Sequence, residues 1–377
     1  MNTKRILITG ARAPSALYLA RLFVEDGYEI FMADSLPSTL SSVSSKVNQF
    51  FLIASPVTDF NAFKKDLTDI IRDYHIDLLI PTCEEIFHLS KEYAHFSSLC
   101  SVFCEPLDTL NMLHNKWMFM DYLSTQKIRV PRTHLVTSRD ETNNFKHAFS
   151  SFVLKPVYSR FSSHVHIVHD GKIPTITPSV SQPWVMQEYI EGTQHCAYAI
   201  CQKGKVHAFS LYKTVFSAGI GATIHFQHHE NTSIEQWVRT FVQKLGFTGQ
   251  IAFDVIVTDK GEMFPIECNP RLTSGIHLFT KHDRVSRAFL DTPSLIYPDT
   301  MHKSMLSSAM LLYGIRQFSW KWVHSFFTSK DVLFSLTDFK PFFFQFFALF
   351  TLWRVAKKQK ISILEASTID IEWDGST

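Results

Sequence analysis

The chain has 377 residues, enough for about two or three domains. Apolar residues make up 45% of it and the net charge is only +2, so a sizeable core is available and charge gives no argument for a nucleic-acid partner. The six Cys are scattered without a CxxC pair, which predicts reduced, mostly buried thiols in a cytoplasmic protein. The start, MNTKRILITG, lacks the apolar region and cleavage site of a signal peptide. No run of about 18 apolar residues is present to span a bilayer.

Residues 5–9, RILIT, form a short continuous apolar run that predicts a buried parallel strand. An amphipathic helix follows at 16–23, then a second strand at 28–33 ending on Asp34, which together predict a Rossmann-like unit. The turn between them reads GARAPS and lacks two glycines of the dinucleotide fingerprint, so a structural α/β domain without NAD is expected. A helix is expected over 66–74 and a strand over 76–81. Glu84 and Glu85 then fall just past a strand's carboxyl end, where open α/β sheets bind ligands; Glu84 can equally charge the first turn of the next helix. After a short strand at 102–103 a domain boundary is placed near Pro106.

A single helix is expected over 108–125, carrying Lys116, and a strand over 131–136. Residues 151–157, SFVLKPV, predict a strand with Lys155 inside it, and a buried lysine must find an anion or reach water. The stretch YSRFSSHVHIV follows, holding Arg160, Ser162 and Ser163 but no glycine. Residues 184–190, WVMQEYI, read as a strand leading into Glu191-Gly192. A hairpin is expected around Lys203-Gly204, between 195–201 and 205–213. Gly219 and Gly221 suggest a mobile or tightly turned backbone, and His225, His228 and His229 suit a polar rim better than a zinc site. A helix over 234–246 should end on its glycine.

The most informative stretch is GQIAFDVIVTDKGEMFPIECNPRLTSGIH, residues 249–277. Ala252, Asp254 and Ile256 share one face of a strand, a turn follows at 258–261, and Glu267 and Asn269 share a face of the returning strand. Such a hairpin gathers Asp254, Glu267 and Asn269 into an all-oxygen set suited to a hard cation, with Arg271 beside it for a phosphate or carboxylate. The alternative is a hairpin with solvated charges, but the apolar flanks make unpartnered carboxylates costly there.

At these residues the chain resembles the ATP-grasp superfamily, in its carboxylate–amine ligase-like branch that includes the large subunit of carbamoyl phosphate synthase. The resemblance rests on Asp254, then Glu267-x-Asn269, then Pro270-Arg271, and covers about residues 1–300 in order. It implies a Rossmann-like (pre-ATP-grasp) α/β domain over 1–105, an α+β ATP-grasp domain over 106–300 with lobes near 106–185 and 186–300, and a helical C-terminal extension over 301–377. It implies that Asp254, Glu267 and Asn269 bind Mg²⁺ (or Mn²⁺) bridging ATP phosphates, with Arg271 and Lys155 acting on the transferred phosphoryl group. It further implies ATP contacts at Lys116, Lys155, Arg160, Ser163, Glu188, Tyr189, Ile190 and Glu191, and substrate contacts at Glu84, Lys213, His225 and Ser274. Gln194 stands where many relatives carry an acid, and the glycine-free loop departs from the family's phosphate-covering loop. The implied reaction is ATP-dependent joining of a small carboxylate to an amine through an acyl phosphate. The alternatives are a carboxylate–thiol ligase, a phosphotransferase, or a nucleotide-binding interaction protein with reduced catalysis and a membrane-associated C-terminal helix.

Helix is expected over 301–318. Residues 341–355 are apolar apart from one Gln and one Arg, and basic residues follow up to Lys360. This predicts a helix packed on the body of the protein or forming a homodimer contact, in preference to an interfacial membrane helix over 341–360. The tail is expected to end in a helical turn and a strand.

Overall fold

The computed structural model describes residues 3–159, 164–218, 222–290 and 294–375. The N-terminal part alternates strand and helix: β1 (Arg5–Thr9), α1 (Pro14–Glu25), β2 (Glu29–Asp34), β3 (Gln49–Leu52), α2 (Phe60–Asp73), β4 (Leu78–Ile80), α3 (Glu85–Lys91), α4 (Tyr93–Ser97) and β5 (Ser101–Val102). The strands make one parallel sheet in the order β3-β2-β1-β4-β5. Pro14 opens α1, where a missing N–H costs nothing. The sheet has one more strand than expected: β3, partly exposed at the edge, carries the apolar run Phe50–Leu52. Helix α2 begins at Phe60, before the expected 66, because Asp59 caps it by accepting from the Ala62 N–H at 2.9 Å.

The single helix expected over 108–125 is two, α5 (Leu107–His114) and α6 (Lys116–Thr125). Asn115 breaks it: its backbone is extended, and its side-chain oxygen accepts from the N–H groups of Trp117 and Met118 at 3.1 and 2.9 Å. This break turns Lys116 inward at the start of α6.

Next come β6 (Thr133–Val136), α7 (Arg139–Phe145), β7 (Phe152–Pro156), β8 (His166–Val168) and β9 (Trp184–Glu188), forming an antiparallel sheet in the order β6-β9-β7-β8. Then β10 (Thr193–Gln202), β11 (Lys205–Lys213), β12 (Ser217–Ala218), β13 (Ala222–Thr223), β14 (His225–Gln227), α8 (Thr232–Leu245), β15 (Gly249–Val257) and β16 (Met263–Asn269) follow. Strands β11-β10-β15-β16 make a second antiparallel sheet. Its two faces are both apolar. Ala197, Ala199, Phe253 and Val255 pack with Phe119 and Phe241, while Tyr198, Ile200 and Ala252 pack with the parallel sheet's Ile6, Ile8 and Ile80. The two sheets therefore share a core.

The C-terminal part holds β17 (Lys303–Met305), α9 (Ser307–Leu312), α10 (Trp320–Thr328), β18 (Lys330–Asp331), α11 (Lys340–Gln359) and α12 (Ile363–Ala366). A strand thus replaces the first part of the helix expected over 301–318. Beyond α12 no strand forms among the described residues; the tail instead returns to the parallel sheet. Arg12 grips the Asp370 carboxylate through both terminal nitrogens, at 2.6 and 2.8 Å, and also Asp34 at 2.5 Å. Trp373 is buried against Phe87 and His88, and its indole N–H donates to Asn111 at 3.1 Å. Among the described residues no helix is long and apolar enough to cross a membrane.

Candidate functional site

The hairpin β15–β16 places Asp254 directly opposite Glu267 and Ala252 opposite Asn269, with a bulge after Asp254. The three oxygen-bearing side chains therefore share one face, as the alternation predicts. Asn269 donates to Glu267 at 3.2 Å. The Cys196 thiol, on β10 opposite Asp254, donates to that carboxylate at 2.8 Å. Burial and the facing Glu267 push the Asp254 carboxyl up to about 6. Burial also works against Glu267, yet Lys116 and Lys155 outweigh it and hold that carboxyl below the usual range. Two carboxylates facing each other, one of them reluctant to ionise, fit a site that gains from a hard cation. Among the described residues no group of three His, Cys, Asp or Glu gathers to hold a metal; the oxygen-bearing side chains that share this face are two carboxylates and an amide. Mg²⁺ commonly takes such a partial set and completes it with phosphates and water.

Three cations converge on this face. Lys116, almost fully buried, has its ammonium 3.8 Å from Glu267 and donates to the carbonyls of Val157 and Ser159 at 3.5 and 3.3 Å. Lys155, on β7, donates to Gln187 at 3.0 Å and to the Ile266 carbonyl at 3.2 Å. Burial pulls its ammonium down to about 8. Arg271 lies just past β16 and reaches across to Glu84, Nε to Oε1 3.1 Å, while its Nη2 meets Asn269 at 3.4 Å. Glu84 also faces His114 at 3.6 Å. Thus Glu84 links Arg271 and His114 and does not cap α3. Its neighbour Glu85 is a turn clamp, accepting from Thr9 at 2.8 Å and from the Thr82 N–H at 3.0 Å. Gly10 is required beside it: φ is +69°, and a Cβ there would lie 2.7 Å from Glu85.

Other expected positions stand as follows. Glu188 ends β9 and is held by Arg132 at 3.0 Å, a contact that keeps its carboxyl below the usual range. The Tyr189 N–H donates to the Ser151 carbonyl at 3.1 Å, Ile190 is half-buried, and Glu191 is exposed. Lys213 ends β11 opposite His195. Ser274 opens a 3-10 turn over Ser274–Leu278, just after Arg271. His225 is buried on β14, bonded to Ser329 at 3.0 Å, in a separate sheet with β17 and β18. Burial brings its imidazole down to about 4. Among the described residues neither Lys213, Ser274 nor His225 bonds to the Lys116–Glu267 cluster. Arg160, Ser162, Ser163, Gly219 and Gly221 lie outside the described residues. Sequence reasoning missed Gln187, Cys196 and His114; Cys196 sits in register opposite Asp254 on β10, and Gln187 directly precedes Glu188 on β9.

A family model described as an ATP-grasp domain matches residues 113–275. No curated protein matches the chain in sequence. Among solved structures it is similar to N5-carboxyaminoimidazole synthetase from Staphylococcus aureus complexed with ADP, at 10% identity and TM-score 0.63 over 84% of this chain and 86% of that one. It is also similar to an L-amino acid ligase from Bacillus licheniformis, at 14% identity and TM-score 0.58, covering 77% and 76%. A third is phosphoribosylamine–glycine ligase from Thermotoga maritima, at 15% identity and TM-score 0.59, covering 78% of each chain. At these identities the likeness is one of fold. The cluster of Lys116, Lys155, Asp254, Glu267 and Asn269 lies wholly inside residues 113–275, the segment that matches the ATP-grasp domain.

Proposed function

We propose that this protein is an ATP-dependent ligase that joins a small carboxylate to an amine and releases ADP and phosphate. The observation that carries the reading is the convergence of two buried lysines on the facing pair Asp254 and Glu267, with Arg271 on the neighbouring Asn269. The structurally similar proteins include an amino acid ligase and a phosphoribosylamine–glycine ligase, which supports carboxylate–amine chemistry.

In this reading Asp254, Glu267 and Asn269 would hold Mg²⁺ or Mn²⁺, which would supply charge neutralisation to the triphosphate. Lys116 and Lys155 orient the phosphates from α6 and β7, and Glu188 to Glu191 border the nucleotide base and ribose. Arg160 and Ser163, which lie outside the described residues, are assigned phosphate contacts on the sequence resemblance alone. A substrate carboxylate oxygen attacks the γ-phosphorus, the bond to the β-phosphate oxygen breaks, and ADP leaves. The amine nitrogen then attacks the acyl carbon, phosphate departs, and the nitrogen gives up a proton. Arg271 stabilises charge on the transferred phosphoryl group, and Glu84 fixes the guanidinium. We take 1–105, 106–300 and 301–377 as the working domain limits, and Lys213 and Ser274 as residues bordering the acceptor side.

The test is ADP and phosphate release from purified protein with ATP, Mg²⁺ and pooled carboxylates and amines. Release that requires both an acid and an amine is the expected result. AMP formation, or release driven by a thiol alone, identifies another reaction of the same site. Absence of nucleotide turnover with every pool overturns the ligase reading.

A further inference from the structure

The C-terminal part carries an unusual aromatic surface. Helix α11 turns Pro341, Gln345 and Ala356 inward, positions that recur at helical spacing. Its other face stays open: Phe343 is 61% exposed, Phe346 59% and Phe350 53%, with Phe347 and Trp353 beside them. The same face continues into exposed Arg354, Lys357 and Lys358, and Lys360 follows. Residues 339–360 contain five cations, Lys340 included, and no Asp or Glu. Phe334, Leu336 and Phe339 extend the exposed apolar surface in the chain leading into the helix. The packing expected for this helix therefore covers only its narrow inner stripe.

We propose that this face docks on the anionic surface of a lipid bilayer, with α11 lying in the interface plane. Its first turns offer phenyl rings to the acyl boundary, and its last turns offer cations to headgroups. Lys357 sits 5.2 Å from the Trp353 ring, so the cation and the interfacial aromatic are presented together. The uniform positive charge selects an acidic surface over a neutral one. The helix lies on the bilayer because none among the described residues is long and apolar enough to cross it. A soluble partner would meet the same rings, but the charge complementarity along the helix favours lipid headgroups.

The experiment is vesicle flotation of the full chain, with phosphatidylcholine alone and with phosphatidylcholine plus phosphatidylserine. The variants are F343S/F347S/F350S and K357E/K358E, whose side chains do not pack inside the protein. The wild type should float with the acidic vesicles and lose binding as salt rises. Each removed charge should weaken binding roughly fivefold, so the lysine pair should cost well over tenfold. The phenylalanine triple should abolish flotation while keeping the wild-type circular dichroism melt. Should the triple fail to fold, the lysine pair alone decides. Absence of flotation with acidic vesicles overturns the proposal, as does flotation equal on neutral vesicles. A dimer in sedimentation velocity that the triple dissociates, without vesicle binding, overturns it in favour of a second copy of this chain.

Discussion

Glu84 and Arg271 stand 187 residues apart in the chain and meet at 3.1 Å, tying the carboxyl edge of the parallel sheet to the end of β16. Glu84 is buried and Arg271 mostly so, which makes the pair intolerant of losing one member. The contact also fixes the guanidinium beside Asn269, so it sets both stability and geometry.

Replacing Glu84 by Gln keeps a hydrogen-bond acceptor but removes the charge. The protein should remain folded while nucleotide turnover drops about 10- to 100-fold, through a displaced Arg271. Glu84→Ala should cost about 3–5 kcal/mol in denaturant unfolding, because an uncompensated charge is left in the interior. Turnover at the wild-type rate in Glu84→Gln would remove Arg271 from the phosphoryl site.

Asp254 is a carboxylate kept at some cost to the fold. Its folded-state value, about 6, lies above the ordinary one near 3.9, so its contribution is fully present below the ordinary value and lost as pH rises through about 6. Asp254→Asn should therefore raise metal-free stability at neutral pH, on the order of 1–3 kcal/mol, and flatten the dependence between about pH 4 and 6. The same variant, and Glu267→Gln, should lose Mg²⁺-dependent ADP formation. Thermal melts across pH and a magnesium titration check both parts.

Lys155 gives the opposite sign. Burial depresses its ammonium to about 8, below the ordinary value near 10.4, so its contribution is present above that ordinary value and lost as pH falls through about 8. Compared with Lys155→Met, the nucleotide-free wild type should lose stability as pH falls from about 10 to 8. Binding of ATP stabilises the ammonium, so a proton should be taken up near pH 8. Calorimetry in two buffers of different ionisation enthalpy measures that uptake; equal heats in both would separate Lys155 from the phosphates.

Trp373 anchors the returning tail, with its ring against Phe87 and His88 and its N–H on Asn111. Trp373→Ala should cost about 3–5 kcal/mol in chemical denaturation, a loss typical of a buried aromatic. The unfolding midpoint of this variant should fall well below that of wild type, whereas a change confined to the tail would leave it untouched.

The hairpin holding Asp254, Glu267 and Asn269 was legible because strand alternation fixes which side chains share a face, and a two-stranded register needs no distant information. The parallel sheet was legible for a similar reason, since β1, β2 and β4 are buried on both sides and read as unbroken apolar runs. The split at Asn115 was visible in principle, because asparagine favours caps, but the apolar positions of α5 and α6 continue across it. What the sequence did not disclose is long-range pairing. Nothing local marks Glu84 as the partner of Arg271, or Asp370 as the partner of Arg12. His225 illustrates the converse: its neighbours in sequence suggested a ligand rim, while tertiary packing turned it toward Ser329.

The grip of Arg12 on Asp370 spans 358 positions. During synthesis the first α/β sheet leaves the ribosome long before Asp370 exists, and Arg12 then has Asp34 and Ser35 to hold. Completion of that early-made sheet is thus deferred until the chain has been made as far as Asp370. Refolding from denaturant should accordingly show a slow closing phase set by this distant contact, and trimming the chain before Asp370 should erase it.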